Sequence, residues 1–216
     1  MRWNVDWFAW EVSQALRVQK EYLTKMEDLL VDAQRKAREE LDSAQGNLDW
    51  SDFSAQEQVY EIVYLREFPK DLRYSFIVLI CVLLETRLSE ACDKIQSRNQ
   101  LPLRATALKR DILKQVKLYL KKVVGLDLNN TTWEKIDFVK AVRNCIVHAA
   151  GSVDKSRDAE KLKQGKNRWP GFQIDEDSNI MLEKEFSQFA LSASEQLFDE
   201  IFQKGGFGPK EPIRAD

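Results

Sequence analysis

A chain of 216 residues accommodates one large helical domain or a domain with a helical extension. Hydrophobic residues at 44% and aromatics at 10% supply a substantial core and exclude disorder as the default, while 8 Gly and 5 Pro are too few for an all-β fold. A formal net charge of −2 excludes a broadly basic RNA-coating protein, so any nucleic-acid surface has to be local.

In chain order, the pattern predicts an all-α bundle of about five to seven helices with one small β-hairpin near the C-terminus. Trp3, Trp7 and Trp10 share one helical face, read as core or intramolecular packing. Leu16, Leu23, Leu30 and Ala37 continue an apolar line along a long charged helix that ends near Gly46. A second helix is expected after Ser54 toward Pro69, and a long central one from Asp71 to about Arg98. Leu101 to Arg104 break the pattern, and Ala105 to Val124 form another helix stopped by Gly125. A further helix is framed by Thr131 or Thr132 as N-cap and Gly151 as stop. Residues 152 to 168 read as a polar surface loop or short helix. Phe172 to Ile174 and Ile180 to Leu182 flank a turn and predict the hairpin, and a last amphipathic helix spans roughly Lys184 to Gln203. The expected organisation is an N-terminal helical extension over 1–69 packed on the core, a helical bundle over 70–205 and a flexible tail over 206–216.

The longest apolar run, Phe76 to Leu84, is too short to cross a bilayer, so no membrane association is expected. The opening MRWNVDWFAWEV lacks the basic and apolar regions of a secretion signal. The three cysteines, Cys81, Cys92 and Cys145, form no CxxC pair and sit in apolar helical contexts, which predicts buried, reduced thiols and a cytoplasmic setting. With His148 they offer a Cys₃His zinc set by composition, but the spacing of Cys81 and Cys92 resembles no zinc knuckle. No metal site and no cofactor is expected.

The helix from Trp133 to Ala150 carries the informative residues. Phe138, Val139, Val142, Ile146 and Ala149 form its apolar stripe, whereas Asn144, His148 and Asp137 lie opposite. Arg143 stands on the shoulder, with a side chain long enough to swing toward the polar face. His148 is the one histidine in the chain, and it projects from the non-core side.

Arg143-Asn144-Cys145-Ile146-Val147-His148 resembles the Rx4-6H signature of HEPN domains, in the form R-N-x-x-x-H. The segment LLETRLSEAC, on the long apolar helix, resembles the helix that packs against the motif helix in such proteins. The resemblance spans about residues 70 to 205 as architecture, and only the six-residue motif is specific. It implies a helical bundle that forms a homodimer and cleaves RNA without metal, in toxin–antitoxin, abortive-infection or other antiviral systems. It also implies that Arg143, Asn144 and His148 form the catalytic set. A subset of the family carries a tyrosine two residues after the histidine, modified by a partner nucleotidyltransferase; here that position is Ala150.

The chemistry agrees with the resemblance. Cleavage by the internal 2′-hydroxyl needs a base, an acid and positive charge at the phosphorane. Histidine serves proton transfer near neutrality, and Arg143 supplies a permanent cation with a fork of donors. Asn144 is expected to hold the imidazole or a phosphate oxygen. One chain supplies one histidine, so an acid–base pair of histidines needs two chains about a two-fold axis. For RNA binding, Arg110, Lys114, Lys117 and Lys121 recur at helical spacing down one face, and Lys155, Arg157, Lys161, Lys163, Lys166 and Arg168 suggest a mobile basic arm. Either set reads equally as a solvated charged face. The mild acidity also suits a protein whose RNase site is occluded by a neutralising partner. The alternative function is a non-catalytic helical interaction module with the N-terminal helix as its docking element.

Overall fold

The computed structural model describes residues 5–46, 49–108 and 111–208. Helix α1 (Trp7–Ala44) is followed by α2 (Trp50–Tyr60), α3 (Phe68–Arg98), α4 (Ile112–Tyr119) and α5 (Asn130–Ala149). Then come α6 (Ala159–Gly165), the strands β1 (Phe172–Ile174) and β2 (Ile180–Leu182), and α7 (Lys184–Lys204). The fold is therefore a helical bundle with a long N-terminal helix and one antiparallel hairpin, in which Phe172 faces Leu182 and Ile174 faces Ile180. Among the described residues no helix is long and apolar enough to cross a membrane.

The core is built around α3, whose Phe76, Ile77, Ile80, Leu84, Leu88 and Ile95 are buried against α5, α7, α4 and the first half of α1. Helix α1 starts at Asp6, whose carboxylate accepts the Ala9 N–H at 3.1 Å and ties to Arg98 at 2.6 Å. Its core face is Phe8, Ala9, Val12, Leu16, Leu23 and Leu30, which departs from the tryptophan face read in the sequence. Trp7 is 65% exposed and meets Trp10 edge-on, because packing on α7 selects the face one residue further on. Trp3 lies outside the described residues. Farther along α1, Glu27 is buried and receives both Nε (2.9 Å) and Nη2 (3.0 Å) of Arg73, whose Nη1 donates to the Leu182 carbonyl of β2. This forked pairing joins α1, α3 and the hairpin, and it satisfies a carboxylate that burial would otherwise penalise.

Three boundaries differ from the sequence expectation. Helix α2 begins at Trp50 rather than after Ser54, because Asp49 caps it by accepting the Asp52 N–H at 2.9 Å. The chain does not break near Pro69. A π-helical stretch over Glu61–Glu67 leads into α3, and Pro69 falls in its first turn, where a missing N–H costs least. The predicted helix over 105–124 is a 3-10 turn at Ala105–Leu108, then α4, then a π-helical end at Leu120–Val124 closed by Gly125 at φ 78°. The chain after α7 turns back: Phe207 packs on Phe8 and Phe202, and residues 209–216 lie outside the described residues.

The segment read as a loose basic arm is a folded element. Leu162 of α6 is buried, Lys163 pairs with Asp154 at 3.1 Å, and Arg168 pairs with Glu134 at 2.8 Å. Gly165 ends α6 against the ring of Phe138, which is itself walled in by Trp169, Phe172 and Phe186 at centroid distances of 5.4, 4.9 and 6.1 Å. A Cβ on Gly165 would stand 2.2 Å from that ring. Gly165→Ala is therefore expected to destabilise the fold by about 1–3 kcal/mol, measured by denaturant titration, since the trapped ring has nowhere to move. An unchanged midpoint would show that α6 is not held by this contact.

Candidate functional site

The motif helix α5 is fixed at both ends. Its N-cap is Asn129, which accepts the Thr131 N–H at 2.9 Å, rather than Thr131 or Thr132. Thr132 instead donates to Glu200 of α7 at 2.6 Å, which accounts for its burial. At the other end Ala150 takes the left-handed conformation (φ 49°), and the Gly151 N–H returns to the Cys145 carbonyl at 3.1 Å. Gly151 (φ 86°) lies under the Tyr74 hydroxyl, where an added Cβ would come within 2.5 Å. Tyr74 donates to the Ile180 carbonyl at 2.6 Å, so α3 and the hairpin together pin the last turn that carries His148.

The buried side of α5 comprises Trp133, Ile136, Phe138, Val139, Ala141, Val142, Cys145 and Ala149. Ile146, read as core, is only half-buried and lines a shallow groove of about 640 Å³ with Tyr74, Val78, Leu79 and Val82 of α3. Leu79, Val82 and Val147 are exposed. The result is an apolar strip along α3 and α5 beside the motif.

Arg143 and Asn144 line a second cleft, of about 530 Å³, between α3, α4, α5 and the segment leading into α6. Arg143 Nη1 donates to Asn144 Oδ1 at 3.2 Å, and Asn144 Nδ2 donates to Asp158 Oδ2 at 3.4 Å. The Arg143 Nε is buried and has no acceptor among the described residues. His148 is exposed on the same helix, outside the lining of the cleft, and forms no hydrogen bond or ion pair among the described residues. Of the two roles expected of Asn144, holding the imidazole or a phosphate oxygen, the first is not seen among the described residues. The Asn144 amide bridges Arg143 and Asp158 because Asp158, distant in sequence, is brought against the helix by the turn before α6.

The lysine stripe divides. Lys114 lines the cleft, with its Nζ 3.6 Å from Asp111. Lys117 lies 3.7 Å from Asp137 and over the Trp133 ring at 5.5 Å, and Lys121 is exposed in the π-helical end. Arg110 lies outside the described residues. The residues that sequence reasoning missed are Lys140, Asp111 and Asp158. Lys140 is 17% exposed and is bonded to Asp111, which also caps α4 through the Lys114 N–H at 3.2 Å. Burial alone would raise the Asp111 carboxyl, but the Lys140 hydrogen bond, the Lys114 N–H and both lysine charges hold it below the usual carboxylate range. Lys140 shares a face with Arg143 and Asn144 at i+3 and i+4, a spacing visible in the sequence.

The cysteines are free and buried. Burial pushes the Cys81 and Cys92 thiols up to about 12, and raises Cys145 despite a hydrogen bond with Ser156. Thiols kept protonated in this way are poor ligands and poor nucleophiles. Among the described residues no three His, Cys, Asp or Glu side chains converge to hold a metal ion. The chain matches no family model, no curated protein and no solved structure.

Proposed function

We propose that the chain is a metal-independent endoribonuclease of the HEPN type, active as a homodimer and serving as a toxin or antiviral defence effector. The observation that carries the reading is that one helix, α5, presents Arg143 in the lining of a charged cleft and His148 exposed outside it, five residues on. The guanidinium stabilises charge on the phosphorane, and the imidazole moves a proton to or from the ribose 2′-oxygen or the leaving 5′-oxygen. Among the described residues His148 has no hydrogen-bond or ion-pair partner that would act as the second proton carrier. The same residue on a second copy supplies one, and the exposed Leu79, Val82 and Val147 beside the motif offer apolar surface for that copy.

The test is cleavage of a mixed-sequence RNA by the purified chain, with product ends determined. Attack by the internal hydroxyl leaves a 2′,3′-cyclic phosphate and a 5′-hydroxyl, and activity should persist in excess EDTA. Activity lost in EDTA and restored by magnesium would show that a different mechanism operates.

A second reading, the non-catalytic interaction module, is favoured by one observation. Helix α2 buries none of its residues, and its Trp50 is 83% exposed. Absence of RNA cleavage under all conditions, with His148→Ala indistinguishable from wild type, would favour that module.

A further inference from the structure

The cleft beside Arg143 holds more charge than the motif accounts for. Lys114 from α4, Lys140 from α5 and Lys161 from α6 line it with Arg143. Each lysine is engaged by oxygens of the chain itself. Asp111 takes both Lys114 and Lys140, and the Asp137 carbonyl accepts from Lys161 at 2.8 Å. Glu85, Asp137 and Asp158 complete the acidic side of the lining. Ammonium groups from three helices, beside the Arg143 guanidinium and two of them held by the exchangeable Asp111 carboxylate, suit a ligand that brings negative charge and several oxygens. A phosphodiester has both. A cleft of about 530 Å³ has room for one backbone segment.

We propose that this cleft binds a backbone phosphate of single-stranded RNA next to the scissile one, and that Asp111 is a built-in counter-ion displaced by that phosphate from Lys140 and Lys114. The proposal rests on the nuclease reading of Arg143 and His148 and deepens it by naming the substrate track. Asp111 competes because it is ionised and already seated on two of the cations. Its removal should therefore tighten RNA binding, an outcome that loss of a merely structural contact does not produce.

Asp111→Asn is the informative variant, since asparagine caps a helix as well as aspartate and the start of α4 is retained. All measurements use the full chain carrying His148→Ala, so that a fluorescently labelled single-stranded RNA is bound without being cut. Anisotropy titrations at several salt concentrations should show Asp111→Asn binding roughly two- to fivefold tighter. Lys161→Gln and Lys140→Gln should each bind more weakly and lower the log–log salt slope by roughly 0.7. Lys161 stands exposed on α6, so its variant keeps the test valid if Lys140→Gln melts early. Unchanged or weaker binding by Asp111→Asn, or an unchanged salt slope in Lys161→Gln, overturns the cleft. Cleavage by the unmodified chain, assayed alongside, decides the nuclease reading separately. No RNA binding at all overturns the cleft whatever that assay shows.

Discussion

His148→Ala and Arg143→Ala are each expected to lower RNA cleavage by at least about a hundredfold while the helical fold survives. Removing a proton carrier costs roughly 10²–10⁴ in rate, and removing a preorganised cation at the developing charge costs a similar amount. The structural cost is smaller. His148 is exposed and makes no hydrogen bond or ion pair among the described residues, so its truncation should change stability by no more than about 0.5 kcal/mol. Arg143 is half-buried and loses its bond to Asn144, which costs about 1 kcal/mol, and circular dichroism and thermal melts should register that difference between the two variants. Arg143→Lys is the discriminating control. It keeps a charge but not the fork of donors, so partial activity would assign the residue to charge stabilisation, and none would assign it to oriented hydrogen bonding. Full activity in either alanine variant would remove that residue from the site.

The helices were legible because their signals are local. Leu16, Leu23 and Leu30 on α1, and Phe138, Val139 and Val142 on α5, keep the 3.6-residue period of a buried face, and the structure buries all of them. The tryptophan face was misread because period alone cannot decide which of two adjacent apolar faces finds a partner. Phe8 meets Phe202 of α7 and Phe207 and Val12 is fully buried, while Trp7 stands 65% exposed against Trp10. Pro69 misled for a related reason: a proline is a stop signal only where its missing N–H is needed, and the π-helical stretch before it removes that need. The site divides along the same line. Lys140, Arg143 and Asn144 are neighbours by helical spacing, and so are Asn144 and His148, whereas Arg143 and His148, five apart, stand well around the helix from each other. Asp111 and Asp158 reach the cleft through tertiary packing, for which no local pattern exists. That is also why Asn144 pairs with Asp158 rather than with His148.

Mixing wild-type chains with His148→Ala chains should cost more activity than dilution alone. A site shared at a two-fold axis needs both copies of His148, one as base and one as acid. At equal amounts with free exchange, about a quarter of the pairs carry two histidines, so activity should fall to about a quarter of its maximum. Independent sites would leave about half, because every wild-type chain would keep working. The proposed dimer makes the first outcome the expected one. Among the described residues His148 has no hydrogen-bond or ion-pair partner, and the exposed Val147 is its immediate neighbour on α5. Exchange has to be established independently, by co-expressing two differently tagged chains and isolating the heterodimer. A heterodimer inactive on its own establishes the shared site. A heterodimer with half the activity of the wild-type pair establishes one complete site per chain, and the second proton carrier must then be sought within the chain, with Asp158, bonded to Asn144, and Lys140 among the ionisable groups that line the cleft.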